Sequence, residues 1–232
     1  MSKVVIFGGT AEGRERAEAL LSQGEECLVC VTSPYARELL PRELPCHVGA
    51  MDFEKMRAFL SRVNPCRVID ATHPYALRAT ENIRTACREL GLPCERVLRE
   101  REEGAWRQMA EHVKGPEEAA RAAERVPGRI LLTTGSHTLD VYAARIAPER
   151  LFVRVLPTVE ALDLCRLAGI APSHILAMQG PFSRELNGAV YDQYGISVLV
   201  TKDSGARGGV SGKVIPALER DIHVILIERP EE

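Results

Sequence analysis

Short apolar runs alternate with longer amphipathic stretches along almost the whole chain. Runs such as Val4-Val5-Ile6-Phe7 and Leu151-Phe152-Val153 are rich in β-branched residues, and the stretches between such runs carry apolar residues at helical spacing. Repeated strand-helix-strand units around parallel sheets produce this alternation. The pattern therefore predicts an α/β protein.

The same alternation places the individual elements, because Gly, Asn and Pro residues close the helical patterns, as at Asn64-Pro65. In the first half it predicts strands over residues 3–7, 26–31, 45–48, 67–70 and 94–98, with helices over 12–23, 52–63 and 75–90. In the second half it predicts strands over 129–133, 151–155, 174–178, 196–200 and 223–227, with helices over 116–125, 139–147, 159–168, 183–194 and 211–220.

The pattern breaks once, over residues 99–114, where a highly charged segment precedes the only tryptophan, Trp106. This break predicts two Rossmann-like domains, 1–100 and 101–232, with parallel sheets that face a cleft. Ligands of open parallel sheets bind beyond the carboxyl ends of the strands. The polar loops that follow strands are therefore the candidate sites, with a nucleotide in the first domain and a substrate in the second.

Composition narrows the classes of partner. The 232 residues carry a net charge of −2, so there is no global positive field and nucleic acid is not expected to bind. No apolar run approaches the ~18 residues of a spanning helix, and no signal-peptide pattern precedes the first strand. We expect a cytoplasmic monomer or small homo-oligomer that binds a small molecule and no membrane.

Seven cysteines, an odd number, do not favour a disulfide framework of the secreted kind. Cys27 and Cys30 have the spacing of a redox or zinc motif, but they lie in the predicted strand 26–31. Residues three apart on a strand point to opposite faces. We therefore interpret both as core residues and predict no metal site.

The first predicted strand leads directly into Gly8-Gly9-Thr10-Ala11-Glu12-Gly13-Arg14 and then a helix, the context of a dinucleotide pyrophosphate site. The strict Gly-x-Gly-x-x-Gly template is not met, because Thr10 takes the middle position, where its hydroxyl could bond a phosphate oxygen. The alternative is a tight turn capped by Thr10. The predicted cofactor contacts are Gly8, Gly9, Thr10, Ala11, Glu12 and Gly13.

The loop after the second strand bears on the choice of nucleotide. A site selective for NAD places an Asp or Glu here to bind the ribose 2′-hydroxyl, and this loop has none. Ser33 and Arg37 offer donors and a positive charge for a 2′-phosphate, which favours NADPH over NADH. Alternatively, Arg37 begins a solvated helix.

The fourth strand ends in Asp70-Ala71-Thr72-His73-Pro74-Tyr75-Ala76, in which Pro74 is suited to start a helix. In a dinucleotide fold this loop can approach the nicotinamide ribose, so Thr72 and His73 are candidate cofactor contacts. His73 could also donate a proton, since the reference pKa of histidine lies near neutrality. A helix-capping loop with an exposed histidine is an equal alternative.

Three strand ends of the second half combine glycine with hydroxyl, amide or cationic groups, which suits anion binding. Each loop taken alone is also compatible with ordinary turn chemistry. The predicted substrate contacts are Ser136 in the first loop, Gly180, Pro181 and Phe182 in the second, and Lys202, Ser204, Gly205 and Arg207 in the third.

Four of these motifs, in this order, resemble the precorrin-6A (precorrin-6x) reductase family of cobalamin biosynthesis: the glycine turn, residues 70–76, residues 180–183 and residues 201–205. The resemblance covers nearly the whole chain. It implies NADPH-dependent reduction of one carbon–carbon double bond of the tetrapyrrole precorrin-6A, metal-free or with cobalt, to precorrin-6B. The family pattern names no proton donor, so His73, Asp203 and Lys202 are candidates.

Two other readings of the sequence stay open. The first-domain motifs alone allow an NADPH reductase of another anionic substrate. They also allow a non-catalytic dinucleotide sensor whose second domain contacts a partner. Only the polar loops of the second half argue against both.

Overall fold

A computed structural model describes residues 3–230, so Met1, Ser2, Glu231 and Glu232 lie outside it. The chain divides between Arg99 and Glu100 into two compact units, each built on its own sheet. All strand pairs in both sheets are parallel, which confirms the predicted α/β class with parallel sheets. Among residues 3–230, no helix is long and apolar enough to cross a membrane.

The first unit has a five-stranded sheet in the order β3-β2-β1-β4-β5. Its elements are β1 (Val4–Phe7), α1 (Ala11–Ser22), β2 (Cys27–Val31), α2 (Pro34–Glu38), β3 (Cys46–Val48), α3 (Phe53–Val63), β4 (Arg67–Asp70), α4 (Leu77–Leu90) and β5 (Cys94–Arg96). The strand order reverses between β1 and β4. In such sheets the crevice at the reversal is where ligands bind.

Two apolar layers cover the faces of this sheet. On one face, Ile6 packs with Leu20 of α1, and on the other, Val5 packs with Phe59 of α3. Each fully buried side chain of this size contributes ~1.5–3 kcal/mol. Cys27 lies in the first layer and Cys30 in the second, so these side chains point to opposite faces, as the strand spacing predicts.

The second unit has a six-stranded sheet in the order β6-β11-β10-β7-β8-β9. Its elements are β6 (Glu111–Val113), α5 (Pro116–Arg125), β7 (Arg129–Leu132), α6 (Leu139–Ala143), β8 (Leu151–Val155), α7 (Val159–Leu167), β9 (Ile175–Ala177), α8 (Arg184–Tyr194), β10 (Ile196–Lys202), α9 (Val210–Leu218) and β11 (His223–Ile227). Its first strand, β6, pairs with its last, β11, and Arg229 Nη2 donates to the Glu100 carbonyl at 3.0 Å.

Most predicted elements are present, with a few differences. The helix predicted from residue 75 begins at Leu77, because the Ala76 amide closes a turn onto the His73 carbonyl instead. The helix predicted over 139–147 ends at Ala143. Among the α-helices and strands, α2 and β6 were not predicted. They have five and three residues, which is too short to show a periodic pattern.

Candidate functional site

The glycine turn between β1 and α1 brings backbone very close to the sheet. A Cβ on Gly13 would lie 3.2 Å from both the Ala71 Cβ and the Gly8 Cα, so only glycine fits there without a shift. Gly9 has a φ of +108°, and a Cβ there would meet no atom within 4 Å. The turn therefore leaves open space beside the first amides of α1.

Thr10 is the N-cap of α1. Its hydroxyl accepts from the Gly13 amide at 3.1 Å and donates to the Ala71 carbonyl at 2.9 Å, which ties the start of α1 to the end of β4. The single hydroxyl proton is thus engaged inside the protein. While this bond is kept, the side chain has no proton to offer a phosphate. Thr10 therefore caps α1, and its contact with a cofactor stays a prediction.

Glu12, in the first turn of α1, forms a two-pronged ion pair with Arg99. Arg99 Nε lies 2.5 Å from Oε1 and Nη2 lies 2.6 Å from Oε2, and the two side chains are only 11% and 14% exposed. Burial is the largest single influence and raises the pKa of Glu12, but the hydrogen bonds and positive charge of Arg99, together with hydrogen bonds from the Glu12 backbone and Thr10, lower it overall. Arg99 therefore neutralises a carboxylate at a helix start that would otherwise repel an anion.

The loop after β4 is held by a second buried ion pair. Asp70 Oδ1 accepts from the Thr72 amide at 3.0 Å, the Thr72 hydroxyl at 2.8 Å and Arg96 Nη1 at 2.8 Å. Arg96 also donates to the Thr72 carbonyl at 3.2 Å. Sequence reasoning named Thr72 and missed Asp70 and Arg96, which fix its position.

His73 lies on the same loop. Its Nδ1 accepts from the Tyr75 amide at 3.3 Å, and its ring is 5.5 Å from the Tyr75 ring. An Nδ1 that accepts a hydrogen bond carries no proton, which places the proton of the neutral ring on Nε2.

A cavity of about 220 Å³ opens at the carboxyl ends of β1, β2 and β4, where the strand order reverses. It is lined by Gly8, Thr32 and Thr72, by residues 49–51 after β3, and by Arg78 and Asn82 of α4. This volume is below the ~300–1,000 Å³ of pockets that enclose a whole drug-sized ligand. The cavity therefore suits one part of a longer molecule.

Several of these lining residues were missed from the sequence. Residues 49–51 follow a predicted strand, a position that in a parallel sheet is itself a signal, but they carry no charged group. Arg78 and Asn82 are polar residues within a helix, and the pattern does not show which way they face.

Ser33 and Arg37 are both engaged locally around α2. The Ser33 hydroxyl is the N-cap and accepts from the Ala36 amide at 3.2 Å. Arg37 donates to the carbonyls of Pro41 and Arg42, each at 3.1 Å. Arg37 is not among the described residues that line the cavity, and the charged residue among them is Arg78.

In the second unit, the loop after β10 is the most polar part of the predicted substrate region. Lys202 Nζ donates to the Thr134 carbonyl at 2.8 Å, and burial lowers the pKa of Lys202. Asp203, only 1% exposed, forms an ion pair with Arg107 at 2.9 Å, which raises the pKa of Arg107. This ion pair fixes the Asp203 side chain within the loop.

The other predicted contacts of this unit lie on loops with differing exposure. Ser204 is 8% exposed, whereas Arg207 is exposed in the short 3-10 helix Ala206–Gly208. Gly205 has a φ of +73°, which favours glycine. Ser136 is partly buried at the loop after β7.

The loop of residues 180–183 is anchored by a buried amide. Asn187 of α8 is fully buried, and its Nδ2 donates to the carbonyls of Ser183 and Gly212, each at 2.9 Å. Its Oδ1 accepts from Arg154 Nη1 at 2.7 Å, and the Arg154 Cζ lies 4.5 Å from the centre of the Phe182 ring. Asn187 thus joins the loop of residues 180–183 and helix α9 to Arg154 of β8.

Sequence reasoning missed Arg154, Asn187 and a buried lysine, Lys213. The sequence pattern contains a signal for Arg154 and for Lys213. Arg154 lies in the middle of an apolar strand, and Lys213 falls on the apolar stripe of α9 with Val210, Val214 and Ala217.

A parallel sheet with reversed strand order, a glycine turn into α1 and a cavity at the reversal define an α/β protein of the Rossmann-like class. The chain belongs to the precorrin-6x reductase family, because the family model described as "Precorrin-6x reductase CbiJ/CobK" matches residues 3–232.

Individual relatives agree with this assignment. The chain is 34% identical to the cobalt-precorrin-6A reductase of Priestia megaterium, over 98% of this chain and 91% of that one. It is also 34% identical to the precorrin-6A reductase of Rhodococcus erythropolis, over 99% and 90%. A solved structure, "CobK precorrin-6A reductase", matches with a TM-score of 0.78 and 25% identity, over 100% of this chain and 89% of that one.

Members of this family reduce precorrin-6A in cobalamin biosynthesis. The family and the oxidoreductase class that the motifs predicted are therefore confirmed.

Proposed function

We propose that this chain catalyses the NADPH-dependent reduction of one carbon–carbon double bond of precorrin-6A, or of its cobalt form, to precorrin-6B. Family membership over residues 3–232 carries the proposal. The glycine turn and the cavity at the strand-order reversal support it independently, because together they offer a nucleotide a place to bind.

The nucleotide is assigned to the first unit. Its pyrophosphate would lie beside Gly9, where the backbone is open, and at the start of α1, where free amides and the helix dipole favour anions. The cavity lined by Thr32, residues 49–51 and Asn82 would hold an adjoining part of the molecule. When bound, NADPH supplies the hydride, and the protein holds and orients it.

The preference for NADPH over NADH requires a cation near the ribose 2′-phosphate. Arg37 can serve, as the sequence predicts, if it exchanges its carbonyl partners for the phosphate, while Arg78 already lines the cavity. Arg37→Gln and Arg78→Gln are compared by their KM values for NADPH and NADH. The variant that raises the KM for NADPH but not the KM for NADH identifies the residue that binds the 2′-phosphate. If neither variant changes the two KM values selectively, this placement is contradicted.

The macrocycle is assigned to the second unit. The family resemblance implies a substrate with many acetate and propionate groups, which suits loops that present cations, amides and hydroxyls. We assign Ser136, Gly180, Pro181 and Phe182, together with Lys202, Ser204, Gly205 and Arg207, to substrate binding.

A proton must accompany the hydride, and His73 is the proposed donor among the predicted candidates. Its neutral ring carries a proton at Nε2, and it lies in the unit to which the nucleotide is assigned, whereas the Asp203 carboxyl group is bonded to Arg107. His73→Gln should lower kcat more than it raises the KM for NADPH. An unchanged kcat would exclude His73 and leave water or a ring nitrogen of the substrate as the source.

The decisive assay is NADPH oxidation, followed by absorbance, with metal-free and cobalt-loaded precorrin-6A in parallel. Turnover of either supports the proposal and shows which form is preferred. A purified chain that binds neither NADPH nor the tetrapyrrole would refute it. Binding of NADPH alone would favour a reductase of another anion or a nucleotide sensor.

The position of the nucleotide is tested by Gly8→Val, since a Cβ on Gly8 would already lie 3.3 Å from Val29 Cγ1. We expect loss of NADPH binding with tetrapyrrole binding retained. Gly115→Val in the second unit is the control, because Gly115 has extended backbone with a φ of −166°. Retained NADPH affinity in Gly8→Val would refute the placement.

A further inference from the structure

Two buried cations in the second unit have no carboxylate bonded to them within residues 100–230. Arg154 of β8 is 7% exposed and donates to the neutral amide of Asn187, with the Phe182 ring as its other close partner. Lys213 of α9 is 9% exposed, and within residues 3–230 it forms no side-chain hydrogen bond or ion pair. Removing a charge from water without a partner is costly, so such groups are rare unless they are used.

The two cations are close enough to influence each other. Burial lowers the pKa of Lys213 to about 7, the positive charge of Arg154 contributes to this lowering, and Glu102 opposes it. Glu102 does not pair with the lysine, and its Oε2 accepts from the Ser211 amide at 3.2 Å. Arg154 and Glu102 thus act on Lys213 in opposite directions, and neither is hydrogen-bonded to it within residues 3–230.

Arg154 also lies next to a loop that we assign to the substrate, since its guanidinium lies over the Phe182 ring. Asn187 connects Arg154 to the Ser183 and Gly212 carbonyls, and Gly212 is the residue before Lys213. Lys213 lies in the first turns of α9, where the helix dipole adds to the positive potential. Charge, burial and position all favour an anion as the missing partner.

We propose that Arg154 and Lys213 form a binding subsite for one carboxylate of the substrate. The identity of this ligand rests on the proposed function, but the subsite itself rests on the two buried cations. A guanidinium and an ammonium can both donate charge-assisted hydrogen bonds to a carboxylate. Water and the Asn187 amide carry no negative charge and do not replace these bonds. Its binding would remove the mutual repulsion of the two cations.

The first experiment observes Lys213 directly in the full chain. The chain has only five lysines, so labelling them with ¹³C at Cε gives few NMR signals, and Lys213→Met identifies the signal of interest. In the free chain we expect its titration midpoint near a pKa of about 7. Tricarballylate, a small tricarboxylate, and then the tetrapyrrole substrate should each raise this midpoint by about one unit or more, since an anion favours the charged form.

The control signal is that of Lys114, which is exposed and should not respond to either ligand. A Lys213 midpoint that saturating tetrapyrrole leaves unchanged would overturn the subsite. A response to tricarballylate without tetrapyrrole binding would support the subsite and refute the proposed substrate. The two proposals can therefore fail separately.

The second experiment separates binding from a structural role. Lys213→Met should raise the KM for the tetrapyrrole roughly tenfold or more, with the KM for NADPH unchanged, because it removes a charged hydrogen bond to the ligand. Lys114→Met should change neither value. If Lys213 is only structural, the methionine variant will be as stable or more stable with an unchanged tetrapyrrole KM, and that result would overturn the proposal.

Discussion

Replacing Arg99 by methionine should destabilise the first unit and weaken NADPH binding at once. The variant keeps most of the apolar stem but leaves the Glu12 carboxylate, 14% exposed, without its two short hydrogen bonds from Arg99. Breaking a buried ion pair on one side costs about 3–5 kcal/mol. The dipole of α1 still favours a negative charge in its first turn by ~0.3–1 kcal/mol. We therefore expect a net loss of about 2–4 kcal/mol.

The same pair has a defined pH dependence. Because the pKa of Glu12 is lowered in the folded chain, the stabilisation from the pair is present above the reference value of 4.5 and is lost as pH falls towards the folded pKa. Without Arg99, burial raises the pKa of Glu12, so the difference in unfolding free energy between wild type and Arg99→Met should shrink as pH falls from the pKa of Glu12 in the variant to its lower pKa in the wild type.

Urea unfolding of wild type, Arg99→Met, Glu12→Gln and the double variant gives the coupling energy of the pair. Isothermal titration with NADPH gives the effect on binding. Arg99→Met should weaken binding because an uncompensated carboxylate faces the pyrophosphate site, and Glu12→Gln in the same chain should restore most of it. A coupling energy near zero, or equal NADPH affinities in all four proteins, would refute this role of Arg99.

Two further changes test the packing around each proposed ligand. Gly13→Ala places a Cβ 3.2 Å from the Ala71 Cβ and the Gly8 Cα. We therefore expect the free energy of unfolding, measured in urea, to fall by ~1–3 kcal/mol and NADPH binding to weaken. Unchanged stability would mean that the turn is not tightly packed. Asn187→Ala removes the amide that joins residues 183 and 212 to Arg154, so the tetrapyrrole KM should rise while the NADPH KM stays constant. Equal changes in both KM values would instead indicate general unfolding.

The sequence pattern predicts this fold well wherever a strand or helix is long enough to show a period. The strand at residues 151–155 and the helix at residues 116–125 have the predicted bounds. In contrast, β6 has three residues, and its pairing partner β11 lies more than 100 residues away in the chain. No local period can report such a distant contact.

The candidate site was predictable only in part, for reasons that differ between residues. Loop position identifies the glycine turn and Thr72, because parallel strands end at a common edge. It does not show that Thr10 donates to Ala71 or that Arg37 binds the carbonyls after α2, since both bonds depend on the three-dimensional path of the chain. Lys213 could have been noticed as a charge on an apolar stripe.

The pairing of β6 with β11 closes the second unit on itself. Its first and last strands are neighbours, and Arg229 reaches the carbonyl of Glu100, so residues 100 and 229 lie side by side. We expect such a unit to tolerate circular permutation, since a short connection from residue 229 to residue 100 and a new opening at an exposed loop would keep every strand neighbour. In the permuted chain the loops and the buried cations should stay in place.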